Sequence, residues 1–284
     1  MGISFFAGRV KGKTKAERIR YFLSKIIEHI NDPIWFLDYT SLFFASLYFK
    51  LIVGNHGEYI LKKDWDNLII LDACRWDYLR KVTGVDIPFI ISRGSSTPEF
   101  LWENFGDDYH EDIIYVSSNP YVDIFLSGKV YKVVSVWRVA WDKKEKTVLP
   151  KDMVKYAKYY RRKYPHKRFI IHFVQPHTPF VGNNEIKRVL KCKGVDWDPW
   201  YAGMRGILSA SELWRAYERN LRYVLPYAVN LAKSLKGLNV ITADHGETFK
   251  RLWFPPVFVY GHHRSIYIDE LVKVPWWVFD NRKG

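Results

Sequence analysis

The chain has 284 residues, 48% of them hydrophobic and 17% aromatic, which excludes wholesale disorder and leaves room for one large α/β domain with an extension. Its formal charge of +14 favours an anionic partner such as a membrane surface or a phosphorylated substrate; nucleic acid is set aside because no RNA or DNA motif accompanies the charge. Two cysteines, Cys74 and Cys192, exclude a disulfide framework and a thiolate zinc site and are expected to be small buried hydrophobes.

Residues 1–25 carry seven Lys or Arg against a single acid, Glu17. Residues 34–53, "IWFLDYTSLFFASLYFKLIV", follow this arm and are interrupted by Asp38 and Lys50, which predicts an interfacial or buried helix rather than a span. Together the two suggest an anionic membrane surface as a partner. The opening lacks an unbroken apolar h-region and a small-residue cleavage site, so the expected location is the cytoplasm, peripheral at the inner membrane surface. The polar, turn-rich "GNHGEYILKKDWD" places a boundary near residue 62, between an extension over 1–62 and a second unit over 63–284.

Beyond it, strand-like and helical runs alternate. Strands are predicted at "NLIILDA", "IPFIIS", "DIIYVSS", "KVVSVW", "RFIIHFV", "LNVITA" and "VPWWVFD". Helices are predicted at "RWDYLRKV", "TPEFLWENFG", "KDMVKYAKYYRRK" and 211–236, the last kinked at Pro226 and ended by Gly237. The alternation argues for a mostly parallel sheet with helices on both faces, and ligand sites of such sheets gather at the carboxyl ends of the strands.

Polar residues recur at those ends. Asp72 closes "NLIILD" and Asp244 and His245 close "LNVITADH"; His177 sits between Pro176 and Pro179, and His262 and His263 follow the apolar run in "VYGHHRS". In "SRGSSTPEF", Pro98 suits a first helical turn and Thr97 its N-cap, so that a hydroxyl at Ser96 would sit beside backbone N–H groups and the positive helix end. Asp and His converging from separate strands supply the oxygen and imidazole ligands of Zn²⁺ or Mn²⁺, and a nearby hydroxyl completes a metal-assisted group-transfer site.

The ordered set "NLIILDACRWD", "SSTPEF", "QPHTPF", "TADHGE" and "GHHRSIYIDELVKVPWWV", spanning about residues 66–279, resembles the alkaline phosphatase superfamily in its sulfatase-like, phosphotransferase branch. The resemblance implies an alkaline-phosphatase-like α/β catalytic domain. It assigns Asp72, Asp244, His245 and His262 to metal, Ser96 to the nucleophile with Ser95 and Thr97 as alternatives, His177 to catalysis, and Thr97 and His263 to substrate binding. "SSTPEF" stands where sulfatases carry a modified Cys in CxPSR, Ala73 follows Asp72 where they often have a second Asp, and the DxxxH segment of two-zinc members is not apparent. One divalent ion is therefore expected, Zn²⁺ or Mn²⁺ ahead of Mg²⁺ or Ca²⁺, with a second left open. The function implied is a metal-dependent phosphoester hydrolase or phosphotransferase with a serine nucleophile, on lipid- or glycan-linked substrates. The alternatives are a sulfate-ester hydrolase or sulfuryl transferase, and a catalytically silent membrane-associated binding protein of the same fold.

Overall fold

The computed structural model describes residues 30–193 and 199–282, together with Arg20, Ser24 and Ile27; the basic arm of residues 1–25 lies almost wholly outside them. The strands are β1 (Asn67–Leu71), β2 (Phe89–Ile91), β3 (His110–Ser117), β4 (Val130–Ser135), β5 (Trp141–Asp142), β6 (Thr147–Val148), β7 (Arg168–Phe173), β8 (Gly237–Thr242), β9 (Thr248–Arg251), β10 (Phe258–Gly261), β11 (Lys273–Pro275) and β12 (Trp277–Asn281). Every residue of β1 and β8 is buried and most are apolar, the pattern of a sheet covered on both faces. Six strands form that sheet in the order β12-β8-β1-β7-β3-β4, all parallel except β12, which runs antiparallel to β8. The mostly parallel α/β architecture is the one the sequence predicts.

Six helices are labelled α1 (Pro33–Tyr48), α2 (Trp76–Thr83), α3 (Thr97–Phe105), α4 (Pro120–Leu126), α5 (Pro150–Lys163) and α6 (Ala210–Ser234). A reciprocal capping box between Ser209 and Glu212 starts α6, which runs on past Pro226. Gly237 does not end this helix: Leu235 is its C-cap, and Gly237 opens β8 with φ of 106° against the Asp66 carboxylate, where a Cβ would come within 2.5 Å of Oδ2. Two strand expectations also change. "IPFIIS" pairs with β11 outside the main sheet, and "VPWWVFD" divides into β11 and β12 around Trp276. Cys74 is buried as expected, whereas Cys192 is exposed.

Residues 35–53 form one helical stretch, α1 continuing through a π turn over Phe49–Val53, and it is long and apolar enough to cross a membrane. Little of it is buried, so of the two alternatives expected, an interfacial or a buried helix, the buried one fails. Trp35, Leu42, Ala45 and Phe49 turn towards the protein; the last three join Leu252, Val257 and Val259 in a side cluster apart from the main core. Ile60 and Trp65 already belong to the core that surrounds β1.

Candidate metal centre

Parallel pairing brings the carboxyl ends of β1, β7 and β8 side by side, and the chain leaves two of them on acids. Asp72 follows β1, its N–H donating to the Phe173 carbonyl at the end of β7 (3.0 Å). Ala73 then takes a positive φ of 60°, turning its own N–H to Asp244 Oδ1 (3.2 Å) across the gap between β1 and β8. Gly246 is required by close approach: a Cβ there would lie 2.0 Å from the Glu270 carbonyl oxygen.

Asp72, Asp244 and His245 form one fully buried group with ligand atoms facing each other. His245 Nε2 lies 3.3 Å from Asp244 Oδ2 and 3.6 Å from Asp72 Oδ1. Its Nδ1 faces the Gly246 carbonyl at 2.7 Å, an acceptor only, so the ring proton belongs on Nδ1 and the Nε2 lone pair points into the group. Burial holds His245 below the usual imidazole range, against the pull of Asp244. Asp72 Oδ1 is buried and has no hydrogen-bond partner among the described residues. Two carboxylate oxygens and an imidazole lone pair turned on one another, one of those oxygens lacking any hydrogen-bond partner among the described residues, suit a divalent cation with mixed oxygen and nitrogen ligands.

The group is braced from behind. Asn119, the cap of α4, donates from Nδ2 to Asp72 Oδ2 (2.8 Å). His172, buried in β7, places Nε2 3.4 Å from Asp72 Oδ2 and 3.7 Å from Asp244 Oδ2, with Nδ1 2.9 Å from the Tyr115 hydroxyl. Burial pushes His172 down, but Asp72 and Asp244 outweigh it and raise its pKa. Burial likewise pushes the Asp72 carboxyl up, and the imidazoles of His172, His177 and His245 pull it below the ordinary carboxylate range.

Hydroxyls arrive at the start of α3. Ser96 is the N-cap, without a side-chain cap bond, and Thr97 is the first helical residue rather than the cap. The hydroxyl beside the acids is that of Thr97, which donates to Asp244 Oδ2 at 2.7 Å and lies 3.2 Å from His245 Nε2. Ser95 is turned away, between the Glu99 carboxylate (2.9 Å) and the His263 carbonyl (2.8 Å). Buried Glu99 also accepts from Ser265 Oγ (3.0 Å) and the Tyr267 hydroxyl (2.9 Å), which ties α3 to the loop after β10.

His262 joins a second group, with His177 and Glu247, rather than the buried one. Its Nδ1 lies 3.0 Å from Glu247 Oε1, and Glu247 outweighs the effect of burial to push the His262 pKa up to about 9. The two groups touch through rings, His245 to His262 at 4.3 Å between centroids and His177 to His262 at 4.9 Å. His263 belongs to neither, its Nε2 lying 3.1 Å from the Tyr260 carbonyl. Sequence reasoning misses His172, Asn119 and Glu247 as parts of the site. An imidazole inside the apolar run "FIIHF" and an Asn two residues after the end of β3 were the available signals.

Neither a comparison with protein-family models nor one with curated proteins finds a match. Among solved structures, the integral membrane lipooligosaccharide phosphoethanolamine transferase A of Neisseria meningitidis matches with a TM-score of 0.51 at 14% identity, over 76% of this chain and 47% of that one. Its soluble domain gives 0.48 at 14% identity, over 75% of each chain. The C-terminal periplasmic domain of EcEptC from Escherichia coli, in complex with Zn, gives 0.44 at 12% identity, over 81% and 76%. The chain thus has an alkaline-phosphatase-like α/β fold, that of the phosphoethanolamine transferase it matches, and spans about half the length of that integral membrane protein. The cytoplasmic location expected from sequence does not stand. The structure matched at a TM-score of 0.51 is an integral membrane protein, and this chain carries its own helix of membrane-crossing length.

Proposed function

We propose that the protein transfers or hydrolyses a phosphoester through the Thr97 hydroxyl, with Asp72, Asp244 and His245 holding one divalent ion. The observation that carries this reading is Thr97 Oγ1 at 2.7 Å from Asp244 Oδ2 and 3.2 Å from His245 Nε2, the one hydroxyl of "SST" in contact with both. A divalent ion held there would polarise a phosphoryl oxygen and lower the pKa of the adjoining hydroxyl.

The chain's own residues provide the rest. As Thr97 Oγ1 bonds to phosphorus, its proton passes along the existing hydrogen bond to Asp244. His262, kept protonated at neutral pH by Glu247, and His177 lie ring to ring beside the buried group, where one of them would give a proton to the departing oxygen as its bond to phosphorus breaks. Water or an acceptor hydroxyl then attacks the phosphothreonine, and the Thr97 oxygen leaves with a proton. A lipid- or glycan-linked substrate is in keeping with the match to an enzyme whose name describes phosphoethanolamine transfer to lipooligosaccharide.

Acid quenching during turnover of phosphomonoesters and phosphodiesters, followed by peptide mass spectrometry, is expected to find phosphate on Thr97. The Thr97→Ala variant should lose both the adduct and turnover while keeping its metal. An adduct on Ser96 or Ser95 would overturn the nucleophile assignment, and sulfate on Thr97 with no phosphate on any substrate would overturn the phosphoester reading.

A further inference from the structure

Helix α1 is apolar on two faces. Trp35, Leu42, Ala45 and Phe49 meet the protein, and Leu37, Phe44, Leu47 and Leu51 repeat the same spacing two residues later. At about 100° per residue, a two-residue offset puts the second stripe on the opposite side of the helix. That stripe is exposed along its length. The helix is not free to leave the domain: Asp32 at its start pairs with Arg205, Ser46 Oγ donates to the Arg264 carbonyl at 3.0 Å, and Phe49 is buried in the side cluster. A helix apolar all round needs a second covering surface, and only one of its faces is covered.

The loop joining β9 to β10 extends that uncovered surface. Leu252 N–H donates to the Val257 carbonyl at 2.8 Å and closes the loop, both residues packing among Leu42, Ala45 and Phe49. Beyond this closure, Trp253 is 94% exposed and Phe254 also stands out, with its ring against Tyr48 of α1 at 5.2 Å. A bare tryptophan beside an aliphatic stripe is the composition of a bilayer interface, where the indole ring is favoured.

We infer that the outer stripe of α1 and the Trp253–Phe254 tip form one lipid-facing surface that seats the protein in a bilayer. Seven basic residues within positions 1–25, just before α1, complement an anionic bilayer and favour it over a second copy of this equally basic chain. The seating is hydrophobic, with the apolar face buried to a depth of roughly 5–10 Å, so it resists salt. It also orients the site, because β9 begins directly after Glu247 and β10 ends directly before His262. The hairpin that enters the lipid therefore carries at its base two members of the second group. This inference stands apart from the phosphoester reading, and its test uses no turnover.

The full chain, in a Cys192→Ser background, is labelled with bimane at Trp253→Cys, Leu47→Cys or, as a control on an exposed position of α5, Tyr159→Cys. Each variant is reconstituted with phosphatidylcholine vesicles, with and without phosphatidylglycerol. Labels at 253 and 47 should shift to the blue and be quenched by lipids brominated on the acyl chain, the label at 159 should do neither, and all should stay with the vesicles in high salt. If one variant misfolds, Leu51→Cys reads the same face. Solvent-like emission at 253 and 47 would overturn the inference. So would release by salt, or a blue shift that grows with protein concentration and ignores brominated lipid, which would mark a contact between copies.

Discussion

The two groups of acids and imidazoles use the same side-chain chemistry and lie ring to ring, yet their histidines are driven in opposite directions. His245 faces carboxylates from inside a fully buried group, with its one proton taken up by the Gly246 carbonyl, and burial holds it neutral. His262 is partly open and has the Glu247 carboxylate directly on Nδ1, which holds it charged. Environment rather than residue type divides the labour: a neutral imidazole offers a lone pair to a cation, and a charged one offers protons to an anion.

The sharpest way to break the comparison is to disable each side in turn. Asp244→Asn and His245→Ala should each lose bound metal and bring turnover to background while the fold persists, because both residues lie in the polar group at the strand ends and leave the apolar core in place. Elemental analysis and circular dichroism of the purified variants check this, and full metal occupancy in both would remove the site. His262→Ala and His177→Ala should instead keep the metal and lose turnover by about 10²–10⁴-fold, the usual range for a positioned proton donor. Metal loss in either would join the two groups into one binding unit.

A smaller effect is expected one layer out. Asn119→Ala and His172→Gln leave all three ligand residues in place and release the Asp72 carboxylate from one side, which should weaken metal affinity by about 10–100-fold. Competition with a chelator measures it. Rescue of turnover at high metal concentration would mark both as positioning residues, and no rescue would place them closer to the chemistry.

These bracing residues also mark the limit of what the sequence discloses. Asp72 and Asp244 are legible because each ends an apolar run, and a parallel sheet places such ends together. His172 carries no such mark, because it sits within an apolar run and only the registration of β1, β3 and β7 aims it at the acids. Asn119 reads as an ordinary helix cap and is one, its Oδ1 accepting from Tyr121 while Nδ2 reaches Asp72 from 47 residues away. The hydroxyl question turns on a single residue. Whether Thr97 is the N-cap of α3, as read from sequence, or its first helical residue decides which side chain faces Asp244, and helix starts are uncertain by a residue or two when read from sequence alone. The strand at "IPFIIS" has the right composition, but its partner β11 lies far along the chain and takes it out of the main sheet.

The smallest effect tests the charge on His262 without turnover or metal. Its folded pKa, about 9, lies above the ordinary imidazole value of 6.5 because Glu247 outweighs burial, so in chelator-treated protein the pair stabilises the fold fully below pH 6.5. That contribution declines as pH rises and is gone once His262 loses its proton near pH 9. The pKa difference sets an upper limit of about 3 kcal/mol, since each unit corresponds to roughly 1.4 kcal/mol. Thermal unfolding should therefore move to lower temperature between those pH values in the unaltered protein and stay nearly level in Glu247→Gln, where the imidazole has no carboxylate to hold its proton. Equal slopes for the two proteins would show that His262 is neutral like His245, and the division between a cation-binding group and an anion-facing group would fall with it.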